Sequence, residues 1–239
     1  MTQTIETAVI LAAGRGTRLQ PFTFDIPKGF MPVGDERLIE RSVRLLKENG
    51  IKNIIIGTGH LHEHYVRFAE ENGLQTFLSP DFATTGSFHT LIFGSELIEG
   101  DFLLLESDLL YHSDAIKSLL NSSNDDVILT SGFTQSNDEV YVEIEGGKLK
   151  SLSKKKEELA SIDAELVGIW KISMSLLNKL KEHHASAADG KKKDYEIAIA
   201  ALSEVYPVDV LKLDDLAWCE IDNQEHLERA KKKILPRLD

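Results

Sequence analysis

AVILAAGRGTRLQPFTFDIPKGFMPV, residues Ala8 to Val33, decides how the chain folds. A short apolar run, Ala8 to Ala13, breaks into Gly14-Arg15-Gly16-Thr17-Arg18, and Pro27-Lys28 and Pro32-Val33 follow. A buried strand that feeds a glycine loop rich in backbone N–H groups and cations is a device for holding phosphate. The spacing is not GxxxxGK[ST], so a P-loop is not supported, and no GxGxxG dinucleotide fingerprint is present. Basic residues stand both inside the loop (Arg15, Arg18) and beyond it (Lys28), which suits a polyphosphate gripped from several sides.

Outward from this stretch, strand and helix signals alternate. Leu38–Asn49 carries an apolar stripe at helical spacing and ends at Gly50, Ile51–Gly57 is a buried strand, and His62–Asn72 is a helix stopped by Gly73. Leu74–Leu78, Asp101–Ser107 and Val127–Gly132 read as further strands, with helices over Ser87–Ile98 and His112–Asn121 between them. Repeated βα units with short connections predict an α/β fold: one doubly wound, mostly parallel, Rossmann-like sheet. The second half changes character. Glu145-Gly146-Gly147 marks a β-hairpin, Leu166–Ile172 is another strand, Ser173 caps a helix to His184, and Ala185–Lys193 is a small, polar, basic loop. A helix over Asp194–Val205, strands Val208–Leu211 and Ala217–Ile221, and a closing helix over Asn223–Ile234 complete the pattern. No repeat or linker divides it. The expectation is a single domain over residues 1–239, with a nucleotide-binding half to about residue 132 and an acceptor-binding half from about residue 133.

The chain has 239 residues, 42% apolar and 28% charged, enough for a sizeable core without disulfides. Its net charge of −12 disfavours general nucleic-acid binding. A single cysteine, Cys219, and the lack of a signal-peptide core or a long apolar run point to a cytoplasmic protein away from membranes. A homo-oligomer stays open.

Ligands of an open parallel sheet bind beyond the carboxyl ends of its strands. That rule selects the Gly14–Arg18 loop, Thr58-Gly59-His60, Glu106-Ser107-Asp108 and Glu220-Ile221-Asp222. Mg²⁺ needs one or two carboxylates besides phosphate oxygens and water, and Asp108 and Asp222 fit that pattern. Each has an ordinary alternative, as an N-cap before Leu109 or before the helix at Asn223. No Ser-His-Asp set or nucleophilic cysteine accompanies them, so the inventory suits transfer at phosphorus, where positioning and charge neutralisation do most of the catalysis. His60, His62 and His64 offer no third zinc ligand and read as surface or rim residues. Glu220 reads as an outer or solvated acid, Lys154-Lys155-Lys156 as solvated, Lys191-Lys192-Lys193 as a run able to close over an acceptor, and Cys219 as buried and inert.

LAAGRGTRL (Leu11 to Leu19) with Pro27-Lys28 and Pro32-Val33, Asp108 after the fourth strand and Glu220-Ile221-Asp222 near the end resembles the signature of the nucleoside-triphosphate transferases, LAAGxGxRL…PK…PV. The resemblance spans nearly the whole chain. It implies Mg²⁺ on Asp108 and Asp222, phosphate contacts from Gly14, Gly16, Arg18 and Lys28, and catalytic roles for Arg18, Lys28, Asp108 and Asp222. The nucleotide would lie along Leu11, Ala12, Ala13, Gly14, Arg15, Gly16, Thr17 and Arg18, with Glu106 and Ser107 beside it. Its base would sit near Thr58-Gly59 and the turn holding Pro80, Thr85, Gly86 and Ser87.

The chain stops one helix after Asp222, a compactness similar to the bacterial phosphocholine and 2-aminoethylphosphonate cytidylyltransferases. The resemblance therefore implies CTP and a small phosphorylated amine as partners. A quaternary ammonium is normally held by aromatic faces, whereas a primary ammonium takes carboxylates or carbonyls. The stretch expected to line the acceptor pocket is Asn137-Asp138-Glu139-Val140-Tyr141, Trp170 and Asp194-Tyr195-Glu196, with Glu139, Tyr141, Trp170, Asp194, Glu196 and Lys28 as contacts. Trp170 and Trp218 also read as core residues. Val140 stands where the phosphocholine enzymes carry tryptophan, and acids are plentiful, so 2-aminoethylphosphonate is expected ahead of phosphocholine. A sugar-1-phosphate nucleotidylyltransferase and a non-catalytic regulatory subunit are the rival readings.

Overall fold

The structure, a computed structural model, describes residues 4–136, 138–187 and 190–238. In chain order the strands and α-helices begin with β1 (Thr7–Ala12), β2 (Pro32–Val33), β3 (Glu36–Arg37), α1 (Leu38–Glu48), β4 (Asn53–Thr58), α2 (His62–Asn72), β5 (Gln75–Leu78) and α3 (Ser87–Phe93). Then come β6 (Phe102–Glu106), β7 (Leu109–Tyr111), α4 (Asp114–Asn121), β8 (Val127–Ser131), β9 (Tyr141–Glu145), β10 (Lys148–Ser153) and β11 (Ala164–Ile172). The last are α5 (Met174–Ser186), α6 (Tyr195–Leu202), β12 (Asp209–Leu213), β13 (Trp218–Glu220) and α7 (Gln224–Arg229). No helix among the described residues is long and apolar enough to cross a membrane.

Nine strands form one sheet in the order β5-β4-β1-β6-β11-β8-β12-β10-β9. Alternate residues of each strand face opposite sides, and both sides are covered. Ala8, Ile10, Ile54, Ile56, Leu103 and Leu105 pack with Ile39 and Val43 of α1, Phe68 of α2 and Ile116 of α4. Val9, Leu11, Ile55, Phe102 and Leu104 pack with Phe88 of α3, Leu176 and Leu180 of α5 and Ile199 of α6. The doubly wound α/β class follows from the sequence as expected. One departure is central: β11 runs antiparallel to both of its neighbours, β6 and β8, so the sheet is mixed. Every residue of β11 is buried, and a strand buried on both faces carries the same apolar run in either direction, so its sense could not be read.

Two smaller features position the site. β11 breaks register between Leu166 and Trp170, around Gly168 at φ +83°, and its first residues cross over to pair with β9. The helix expected from His112 begins at Asp114, because Leu109–Tyr111 forms β7 and pairs antiparallel with β13. A third apolar cluster (Leu19, Met31, Val33, Leu110, Ile221, Ile234) fastens the segment around Lys28 to that pair and to the C-terminal helix. The chain beyond Arg229 continues as a π-helical turn over Ala230–Ile234.

Candidate active site

Strand β1 pairs with β4 on one side and β6 on the other, so the chain reverses its direction of winding here. A crevice opens outside the strand ends at such a point. It is a cleft of about 420 Å³. Gly16, at φ +59°, turns the loop after β1, and the Thr23 hydroxyl donates to the Gly16 carbonyl at 2.7 Å. A side chain on Gly14 would meet only open space, so this part of the loop backbone is accessible to a ligand.

Lys28 sits in a single 3-10 turn, Lys28–Phe30, that begins directly after Pro27. A Cβ on Gly29 would lie 2.8 Å from the Tyr65 hydroxyl and 3.1 Å from the Ser107 carbonyl, so glycine lets this turn press against the end of β6. The Lys28 ammonium donates to Asp108 Oδ2 and Asp222 Oδ1 and lies 3.6 Å from Glu220 Oε1. The β7–β13 pair, with Leu109 opposite Glu220, brings these acids together from distant parts of the chain. Asp108 precedes a strand, so the helix-cap alternative fails for it. It fails for Asp222 as well, since Asn223 caps α7 by accepting from the His226 N–H at 2.9 Å.

Charge dominates the floor of the cleft. Burial works against the Lys28 charge, but Asp108, Glu220 and Asp222 outweigh it and hold the ammonium above its ordinary pKa. Burial would raise Asp222, yet Lys28, a hydrogen bond with Glu220 and Arg18 hold it well below the usual carboxylate range. Glu220 is pushed well up by burial and by Asp108 and Glu106, and Glu106 by burial, Asp108 and Glu196. Arg18 is half exposed and pairs with Asp138 and, at 2.9 Å, with Asp222 Oδ1.

Two buried oxygens here, Asp108 Oδ1 and Asp222 Oδ2, have no hydrogen-bond partner among the described residues. Glu106, Asp108 and Glu220 each offer an oxygen within 4.8 Å of the others. A hard divalent cation satisfies such oxygens, so the residues present fit one. The three histidines do not form a metal site: His60 and His62 face Thr23 and Thr58, and His64 packs edge-on against Phe30.

Most expected positions meet in the cleft. Leu11, Ala12, Ala13, Gly14, Gly16, Thr17, Arg18, Lys28, Thr85, Gly86, Ser87, Glu106, Ser107, Asp108, Glu139, Asp194, Glu196 and Asp222 all line it. Others do not. Arg15 is exposed away from the lining, and Pro80 is exposed beyond it. Thr58 is fully buried, its hydroxyl donating to the Phe77 carbonyl at 2.7 Å, and Gly59 is packed beneath the Ala13 carbonyl and Phe82. Phe82 takes the place on the wall expected for that pair. Trp170 is fully buried and stands edge-on to Tyr195, so it gives the acceptor no ring face. Tyr141 is engaged instead with Glu139, at 3.1 Å, and with Lys156 over its ring. Trp218 is part of the core as expected and also reaches the cleft wall, donating to Ser131 Oγ at 2.8 Å. Asn137 lies outside the described residues, as do residues 188–189 of the basic loop.

Several contributors escaped the sequence. Glu220 is an inner acid. Lys154 is exposed as expected, and it also lines the cleft 3.4 Å from Asp138. Thr134 is held from two sides, its N–H donating to Glu165 and its carbonyl accepting from Arg229. The basic loop is tied to the start of α3, with the Lys191 carbonyl accepting from the Gly86 N–H at 2.8 Å and the Lys193 carbonyl from the Phe88 N–H. Only Glu220 had a signal, its place at a strand end. Cys219 is buried, its thiol pushed up to about 12 by burial.

A mixed α/β sheet gathers acids and the cations Lys28 and Arg18 at its switch point. The chain belongs to the nucleotidyl transferase family, whose pattern it matches over residues 7–236. It is 24% identical, over 97% of its length, to the bifunctional IPC transferase and DIPP synthase of Aquifex aeolicus and covers 52% of that protein. It thus spans about half the length of that relative. Over 92% of its length it is 24% identical to the CTP:phosphoglutamine cytidylyltransferase of Campylobacter jejuni, covering 97% of it. The choline-phosphate cytidylyltransferase of Streptococcus pneumoniae matches 44% of the chain at 35% identity, with 45% of that protein covered. Among solved structures, the inositol-1-phosphate CTP transferase from T. maritima superposes with a TM-score of 0.82 at 17% identity, covering 98% of this chain and 99% of that one. That last likeness is one of fold.

Proposed function

We propose that the protein is a metal-dependent cytidylyltransferase that moves CMP from CTP to 2-aminoethylphosphonate, giving CMP-2-aminoethylphosphonate and pyrophosphate. The observation that carries the acceptor is an excess of carboxylates. Besides Asp108 and Asp222 the cleft is lined by Glu106, Glu220, Asp194 and Glu196, more acids than one divalent cation requires. Glu196 keeps a buried oxygen, Oε2, without a partner among the described residues, and burial with Asp194 nearby pushes the carboxyl up to about 7. An acceptor bearing a primary ammonium gives these acids a charge and three donors. Trp170 and Tyr195, turned into the core, supply no faces for a quaternary ammonium. CTP as donor rests on the cytidylyltransferases among the relatives.

In this reading Asp108 and Asp222 hold Mg²⁺, which when bound neutralises charge at the α-phosphate. The amides of Gly14–Arg18 and the Arg18 guanidinium hold the β- and γ-phosphates. Lys28 stands between the α-phosphate and the acceptor oxyanion and draws the two anions together. A phosphonate oxygen bonds to the α-phosphorus as the bond to the bridging oxygen of pyrophosphate breaks. The attacking oxygen is already anionic, so no general base is required.

Steady-state kinetics with CTP and three acceptors test this: 2-aminoethylphosphonate, 2-hydroxyethylphosphonate, which differs from it only in having an uncharged far end, and the phosphate ester phosphocholine, which carries a quaternary ammonium. The expected order of kcat/KM places 2-aminoethylphosphonate first by about tenfold or more, the worth of one charge-assisted hydrogen bond. A preference for phosphocholine, or indifference to the ammonium, contradicts the assignment.

A further inference from the structure

In the structure the two cations that the phosphates need are held by the carboxylates that the metal needs. Lys28, only 13% exposed, bridges Asp108 Oδ2 and Asp222 Oδ1. Arg18 shares the same Asp222 oxygen and reaches across the cleft to Asp138. The Gly29 turn, pressed on Tyr65 and Ser107, fixes the root of Lys28, while its side chain retains four rotatable bonds. A divalent cation placed between Asp108 and Asp222 would meet the ammonium within a few ångströms, where like charges repel strongly.

We propose that Lys28 is the resting counter-ion of the acidic site: it occupies the place between Asp108 and Asp222 that a divalent cation takes, and it leaves when nucleotide phosphates offer it a better anion. The inference rests on the metal-dependent reading of the site. Without Lys28, Asp108 and Asp222 would face one another with the half-exposed Arg18 on Asp222 to offset them; with it, the pair is neutralised from within. Metal and nucleotide then enter as partners. The phosphates draw Lys28 and Arg18 off the aspartates, and the aspartates so released accept the cation. The free protein therefore binds the metal alone poorly, because only the fraction of molecules with Lys28 displaced is competent.

Mn²⁺ titration of the full chain, followed by the electron paramagnetic resonance of the free ion, tests this without turnover. Lys28→Met removes the ammonium and keeps the chain length. Lys154→Met removes an equal charge from the same cleft and leaves the Asp108–Asp222 gap filled. In the absence of nucleotide, K28M is expected to bind Mn²⁺ about tenfold or more tighter than wild type. K154M is expected to stay within about threefold of wild type, the effect of a screened charge. Equal affinities in K28M and wild type, or an equal gain in K154M, overturn the proposal. Thermal unfolding gives a second readout: Mn²⁺ alone should raise the Tm of K28M and leave that of wild type unchanged. Should K28M fail to fold, wild type alone decides. Mn²⁺ must then bind about tenfold or more tighter to protein and the non-hydrolysable α,β-methylene CTP together than to either the protein or the analogue alone, and binding no tighter than those refutes the idea. No Mn²⁺ bound by any form, with or without that analogue, removes the metal site itself and this inference with it.

Discussion

Lys28 and Asp108 are where the chemistry concentrates. If they act as assigned, Lys28→Ala and Asp108→Ala each lower turnover by about a hundredfold or more, the loss seen when one preorganised electrostatic partner is removed. Pyrophosphate release under saturating substrates measures it, and near-normal turnover in either variant rejects that residue's role. Glu196 makes a separate prediction. Its carboxyl is raised from 4.5 to about 7 in the fold by burial and Asp194, so between those values the folded chain keeps a proton that the unfolded chain releases. The native state binds more protons there, and stability declines as pH rises across that window, by roughly 3 kcal/mol, before levelling off. Glu196→Gln cannot titrate and should flatten that share of the slope. Urea unfolding of both proteins at pH 5 and pH 8 reads the difference, and identical slopes contradict it. Much of this scale was legible in the sequence, because Arg18, Lys28, Asp108 and Asp222 stand beside glycines, prolines and strand ends that mark them. Lys154, Thr134 and Arg229 carry no such mark. Their place depends on how residues 132–136 and 138–140 lie along the cleft, and nothing local encodes that path.

At the level of elements, the short 3-10 turn and the β7–β13 pair matter more than their length implies. Gly29 is the contact between the turn and the end of β6, and a methyl group added there would stand 2.8 Å from the Tyr65 hydroxyl and 3.1 Å from the Ser107 carbonyl. Gly29→Ala is expected to shift Lys28 from its aspartates and lower kcat/KM by about tenfold or more, since small misplacements are costly in preorganised sites. Circular dichroism should stay unchanged. A G29A enzyme of wild-type efficiency would show that the turn does not aim Lys28. Helices were easy to read: α2 begins and ends at the expected residues, because Gly73 at φ +65° stops it. β7 was hidden, because three apolar residues ahead of a helix resemble its first turn.

Across the whole molecule, the sheet sorts function along its strand order. In the proposed reading the loop after β1 and the end of β6 grip phosphate, while residues 138–140, the bent start of β11 and the start of α6 surround the acceptor. The antiparallel β11 joins these halves, and its break at Gly168 leaves room for the Glu106 carboxylate, 3.1 Å from where a Cβ would stand. Apolar periodicity foretold the layers, since both faces of each central strand are buried. It could not foretell the direction of β11 or the bend, which arise from pairing between distant segments. The same limit applies to the substrate: the phosphate grip is local in sequence, and the acceptor pocket is assembled from four separate stretches. The most direct measurement is pyrophosphate release for CTP, UTP, ATP and GTP, each against 2-aminoethylphosphonate, phosphocholine and glucose-1-phosphate, with Mg²⁺ and with a chelator. The account predicts release that is fastest for CTP with 2-aminoethylphosphonate and abolished by the chelator. Faster release with another pair, or release that persists without a divalent cation, would contradict it.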